Sequence, residues 1–90
     1  MSNVVHVIIS GQVQGLGFRR FVRNKARELN VKGWVRNLPD RRVEAVLQGR
    51  TKDVEKMIEF CRKGSFLADV VDIQIKEIGD EEFEGFEITY

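Results

Sequence analysis

The chain has 90 residues, with 15 Lys and Arg against 14 Asp and Glu, one His and one Cys. That length fits one domain, residues 1–90, and a 42% hydrophobic content excludes a globally disordered chain. The lone Cys excludes an intramolecular disulfide framework, and no apolar run reaches the roughly 20 residues of a membrane span.

The net charge of +1 conceals a split. Residues 1–50 hold ten basic and three acidic side chains, and residues 51–90 hold five and eleven. Such a division points to an anion-handling region in the basic half. Val4–Ile9 is too short for a signal peptide, lacks a basic flank and contains His6, so the expectation is a soluble cytoplasmic protein.

Val4–Ser10 is a short, β-branched run and predicts a largely buried strand. Glycines at 11, 15 and 17 predict a loop from Gly11 to Arg19. The period then becomes helical, with Phe18, Phe21, Val22, Ala26 and Leu29 on one face. Gly33 fits either the cap of that helix or a strand bulge. Trp34–Leu38 predicts a second strand and Leu38–Arg41 a turn, in which Pro39 presets φ and Asp40 caps the backbone. Val43, Ala45 and Leu47 alternate as a third strand. Thr51 is read as the N-cap of a second helix with Val54, Met57, Ile58 and Cys61 on its apolar stripe, stopped at Gly64. A fourth strand follows at Val71–Lys76, and a fifth at Phe86–Tyr90 after the acidic turn Gly79–Glu82. The order β-α-β-β-α-β-β predicts an α+β, ferredoxin-like (split βαβ) two-layer sandwich, with a mostly antiparallel sheet and two helices on one face.

Most familiar chemistries lack their residues. His6 sits within a strand and Cys61 on an apolar stripe, so neither has partners for a metal site or a nucleophilic dyad. The acidic cluster Asp80–Glu84 reads as a solvated turn. No Walker loop follows Gly11, and Arg20 stands where a dinucleotide fingerprint from Gly15 needs glycine. The remaining candidate is Gly11–Arg19. Gly15 and Gly17 allow successive amides to turn toward one point, the helix N-terminus adds free N–H donors, and Arg19 offers a planar fork for phosphate or carboxylate. A cation there opposes the helix dipole, a conflict that a bound dianion removes. A glycine-rich connection with a merely solvated Arg is the alternative. Arg20, Arg23 and Arg27 read as a solvated face that can steer anions, and Arg36 should point away from Asn37 by strand parity.

The run Gly11-Gln12-Val13-Gln14-Gly15-Leu16-Gly17-Phe18-Arg19 resembles the G-x-V-Q-G-V-x-F-R signature of the acylphosphatases, and Gly33-Trp34-Val35-Arg36-Asn37 resembles their G-W-V-x-N. Motif order, spacing and chain length agree over essentially the whole sequence. Three departures are Leu16 for Val, Asp40-Arg41-Arg42 for the usual Asp-Gly turn, and Gly64-Ser65 for Gly-Pro.

The resemblance implies hydrolysis of acyl phosphates to carboxylate and inorganic phosphate, without a metal or other cofactor. It implies that Arg19 and the backbone of Gln14, Gly15, Leu16, Gly17 and Phe18 bind the phosphoryl group, and that Asn37 positions the attacking water. Expected partners are a small acyl phosphate, with inorganic phosphate or sulfate as site ligand; the chain is expected to be monomeric and away from membranes. The rival expectation is a small ferredoxin-like nucleic-acid-binding or regulatory interaction module. Against nucleic acid, Lys32-Gly33-Trp34-Val35 lacks the paired aromatics of an RNA-recognition strand.

Overall fold

A computed structural model describes residues 2–15, 17–65 and 67–90. The elements are β1 (Ser2–Gln12), α1 (Phe18–Glu28), β2 (Lys32–Asn37), β3 (Val43–Arg50), α2 (Thr51–Lys63), β4 (Asp69–Glu77) and β5 (Phe86–Ile88). They build one five-stranded sheet in the order β4-β1-β3-β2-β5. All neighbours are antiparallel except β2 and β5. Both helices contribute to a core with one face of the sheet, as the sequence predicts. Phe18, Val22 and Ala26 from α1 and Val54, Met57 and Cys61 from α2 cluster with Val5, Val7, Ile9, Val35, Val43, Ala45 and Leu47. Burying a side chain such as Phe18 or Leu47 stabilises the fold by about 1.5–3 kcal/mol.

The boundaries differ from the sequence expectation in four places. β1 runs on to Gln12, through a register shift between Ser10 and Gly11, so Gly11 belongs to a strand and the loop begins at Val13. Gly33 is a strand residue, not a helix cap; its φ of 135° lets the chain pass where a Cβ would meet the Val46 carbonyl. The cap of α1 is supplied instead by Asn30 at φ 57°. Val31 N–H donates to Ala26 O at 2.8 Å and Asn30 N–H to Arg27 O at 3.3 Å, a Schellman ending. The N-cap of α2 is Arg50, which makes no side-chain capping bond, and Thr51 is already helical. β5 stops at Ile88, so Tyr90 lies beyond the strand.

Strand direction decides what meets at the sheet's edges. β1 and β2 each run antiparallel to β3, and β5 runs parallel to β2. The carboxyl ends of β1, β2 and β5 therefore point the same way, bringing Val13, Asn37 and the residues after Ile88 to one edge. The return from β4 to β5 crosses the full width of the sheet. It is held by Ile78 N–H donating to Val4 O at 3.0 Å and by Phe83 N–H donating to Gln48 Oε1 at 2.9 Å. That second bond satisfies the acceptor of Gln48, a buried polar residue.

The hairpin between β2 and β3 closes without the usual glycine. Arg41 N–H donates to Leu38 O at 3.2 Å and Leu38 N–H to Arg42 O at 2.8 Å, leaving a three-residue loop. Arg41 takes the left-handed position at φ 76°, where such loops favour glycine. Asp40 compensates by accepting from Arg42 N–H at 3.2 Å and from Arg42 Nε at 2.7 Å. These bonds, the amide's foremost, hold the Asp40 carboxyl below its ordinary pKa.

On the sheet face away from the helices, Glu44 bonds His6 Nε2 at 2.7 Å and Arg36 Nε at 2.6 Å, and Arg36 stacks 5.5 Å from the Trp34 ring centre. Partial burial pushes the Glu44 pKa up, but the His6 and Arg36 contacts outweigh it and hold the value below 4.5.

Two outcomes follow from the hairpin and this cluster. Arg41→Gly removes a left-handed penalty of about 1 kcal/mol and should raise the thermal midpoint by about 4–8 °C in a scanning melt. Ionised Glu44 stabilises the fold above its ordinary pKa, and that contribution disappears as pH falls through the lowered one. Chemical denaturation at pH 7 and at pH 3 should therefore show Glu44→Gln clearly destabilised at pH 7 and much nearer to wild type at pH 3.

Candidate active site

The loop after β1 and the start of α1 combine three features that favour an anion. Gly15 and Gly17 adopt φ of 76° and 72°, and a Cβ at either would meet nothing within 4 Å. Glycine is needed there for backbone conformation, and the space above the loop is open. Gly17 is the N-cap of α1, with no side-chain capping bond and no acidic residue in the first turn. The first helical bond is Phe21 N–H to Gly17 O at 2.9 Å, so the amides of Phe18, Arg19 and Arg20 have no intrahelical acceptor. Uncapped amides with the positive end of the helix dipole form an anion-binding terminus.

These elements surround a depression of about 200 Å³ lined by Val13, Gly15, Gly17, Phe18, Arg19, Arg20, Asn37, Ile88 and Tyr90. Arg19, half-buried on the first turn, lies 5.2 Å from the Tyr90 ring centre. Asn37 enters from the end of β2. Its Oδ1 is buried without a hydrogen-bond partner among the described residues, a state that costs about 1–3 kcal/mol unless something donates to it. No Asp or Glu is among the described residues lining the depression.

Of the residues expected from sequence, Gly15, Gly17, Phe18, Arg19 and Asn37 are brought together around this depression. Leu16 lies outside the described residues. Gln14 does not line it. Its side chain turns the other way, and Nε2 donates to Leu38 O at 2.8 Å and Arg42 O at 2.9 Å. One amide thus ties the glycine loop to the hairpin that follows Asn37. Phe18 is fully buried and anchors the loop to the core, and its ring stacks with Phe21 at 6.0 Å.

Arg20, Ile88 and Tyr90 are the lining residues that sequence reasoning did not assign to the site. Their only signal is topological: β5 lies beside β2 in parallel and delivers its end to Asn37. Arg27, expected in a solvated face, instead donates to Phe86 O at 3.0 Å and fixes α1 against β5. Arg36 is held by Glu44 on the opposite face, as parity predicts. Cys61 is fully buried, and desolvation pushes its thiol up to about 12, which leaves it unreactive. A larger groove of about 630 Å³, between Leu29, Phe60 and the lysines and glutamates of α2, has no converging polar groups comparable to those around Asn37.

Comparison with known proteins shows the family of the chain. The acylphosphatase family model matches residues 5–88. The acylphosphatase of Haloarcula marismortui is 47% identical over 85 residues, covering 94% of this chain and 93% of that protein. The crystal structure of acylphosphatase from Bacillus subtilis superposes with a TM-score of 0.95 at 35% identity, covering all of both chains. An acylphosphatase from Coxiella burnetii superposes at 0.94 with 36% identity, over 98% of this chain and 93% of that one.

The Gln14 tie can be broken selectively. Gln14→Glu places a carboxylate against two carbonyl oxygens, whereas Gln14→Ala only removes the donor. Urea titrations at pH 7 should show Gln14→Ala less stable than wild type by about 1–3 kcal/mol and Gln14→Glu less stable still. The gap should close as pH falls below about 4, where a protonated Glu can donate again.

Proposed function

The chain belongs to the acylphosphatase family and hydrolyses acyl phosphates, and we propose that the work is divided between an amide-and-arginine cradle and the Asn37 side chain. The phosphoryl group sits against the amides of Gly15 to Phe18 and the uncapped start of α1, with the Arg19 guanidinium on its equatorial oxygens. Leu16 supplies its amide on the strength of the motif alone. Asn37 Oδ1 accepts a hydrogen bond from the attacking water and holds its oxygen in line with the bond to be broken. The water oxygen forms a bond to phosphorus, the bond from phosphorus to the acyl oxygen breaks, and the carboxylate leaves with the electron pair. Both protons of the water stay with the released phosphate, which leaves as dihydrogen phosphate.

A carboxylate is a good leaving group and phosphoryl transfer passes through a loose transition state, so positioning and charge stabilisation suffice. A neutral amide such as Asn37 is a poor base but an adequate tether. The Tyr90 ring limits where Arg19 can swing, through a cation–π contact of about 0.5–1 kcal/mol.

One observation carries this reading: Asn37, whose buried Oδ1 has no hydrogen-bond partner among the described residues, lines the same depression as Arg19 and the uncapped helix end. The reading also takes the protein as a cytoplasmic monomer that needs no metal, with inorganic phosphate or sulfate able to occupy the cradle.

Benzoyl phosphate hydrolysis in the presence of EDTA tests the assignment. Wild type should turn over undiminished by the chelator. Arg19→Ala and Asn37→Ala should each lose at least about 10²–10³ in kcat/KM. Asn37→Ala should melt no lower than wild type, because it deletes a buried acceptor that lacks a partner. Phosphate should raise the melting temperature of wild type but not of Arg19→Ala. Full activity in both variants would overturn the residue roles, and loss of activity with EDTA would overturn metal independence.

A further inference from the structure

Arg19 is not the only arginine at the depression. Arg20 also lines it, and its side chain leaves the same first turn of α1 about 100° round the helix axis. Arg20 is exposed, and none of the ion pairs or side-chain hydrogen bonds among the described residues involves it. Four nearby cations are committed elsewhere: Lys25 to Glu28, Arg27 to Glu87 and Phe86 O, Arg36 to Glu44, and Arg42 to Asp40.

Two adjacent arginines in the first turn, with no acid beside them, oppose both each other and the helix dipole. One phosphoryl dianion is already served by Arg19 and the amides. At roughly 30 Å³ per water-sized group, a depression of about 200 Å³ holds about six such groups, so the phosphoryl group and its attacking water fill most of it and the acyl part of the substrate extends toward its mouth.

We propose that Arg20 is a specificity-determining residue that binds a second anionic group, a carboxylate or phosphate, carried on the acyl part of the substrate. The preferred substrates are then acyl phosphates with a short methylene chain ending in an anion. The proposal rests on the phosphate-cradle reading above and adds the identity of the acyl group to it. The phosphoryl end remains with Arg19, so Arg20 discriminates between substrates by what their far ends carry.

Succinyl phosphate and butyryl phosphate separate these effects, since they share a four-carbon chain and differ in a terminal carboxylate against a methyl. Wild type should show the higher kcat/KM on succinyl phosphate. Arg20→Gln should lower that value by about ten- to a hundredfold, mainly through KM, as expected for loss of one charge-assisted hydrogen bond. On butyryl phosphate its effect should be at least tenfold smaller, and Arg20→Lys should recover part of the preference. An equal fall on both substrates would reduce Arg20 to general steering and overturn the proposal. So would a succinyl preference that survives in Arg20→Gln. Hydrolysis of both substrates without preference in wild type would overturn it while leaving the acylphosphatase mechanism intact. Hydrolysis of neither would overturn both.

Discussion

A single side-chain amide holds the two halves of the site in register. Gln14 Nε2 donates to Leu38 O and to Arg42 O, and those carbonyls flank the hairpin that begins one residue after Asn37. The glycine loop has few other means of fixing its position, because its defining residues lack side chains. A displacement of about 1 Å between a phosphate cradle and a water-orienting group can cost on the order of 10² in rate. The strength of the Gln14 tie therefore matters less for global stability than for the distance between Arg19 and Asn37. It also explains why the hairpin can tolerate Arg41 at a strained φ. Asp40 bonds the loop from one side and Gln14 from the other, so the turn is held by more contacts than it needs to form.

The electrostatic division of the chain resolves into local commitments. Of the ten cations in the first fifty residues, Arg36 is absorbed by Glu44 on the far face, Arg42 by Asp40 in the turn, and Arg27 by the backbone of β5. These contacts stabilise sheet and helix, and they also keep guanidinium groups out of the depression. Arg19 and Arg20 remain beside amides that carry partial positive charge. A region lined by no Asp or Glu, with two arginines that make no ion pair among the described residues, favours dianions at long range. Arg19 and Arg20 are only part of the basic excess, since Arg23, Lys32, Arg41 and Arg50 also make no ion pair among the described residues.

Much of this was legible in the sequence, for definite reasons. The helical stripes of Phe18, Val22, Ala26 and of Val54, Met57, Cys61 are strict 3.6-residue patterns, and burial follows them. The strands alternate clearly enough to set their faces, which is why Arg36 could be assigned away from Asn37. The element ends were less legible. Thr51 looks like an N-cap by composition, yet the helix starts one residue earlier because β3 runs directly into it. Gly33 looks like a stop, yet it marks a close approach between two strands, and Asn30 takes the left-handed cap position. Gln14's double bond and the reach of Arg20, Ile88 and Tyr90 into the depression depend on contacts 24 or more residues apart or on β5 lying at the far edge. No local pattern encodes such pairings.

The places where local rules fail are concentrated around the chemistry. α1 begins without a capping side chain and with two arginines where acids are favoured. The loop before it needs two left-handed glycines. Asn37 buries an acceptor that nothing in the described chain satisfies. Each of these costs free energy, and on the proposed reading each is relieved or used when a phosphoryl group and its attacking water bind. The hydrophobic core and the sheet, by contrast, obey their patterns almost throughout, and they supply the stability that the site forgoes. An uncapped, cation-bearing helix start is unfavourable for a structural helix. At the carboxyl ends of three parallel-running strands, it becomes a prearranged electrostatic complement to a transferring phosphoryl group.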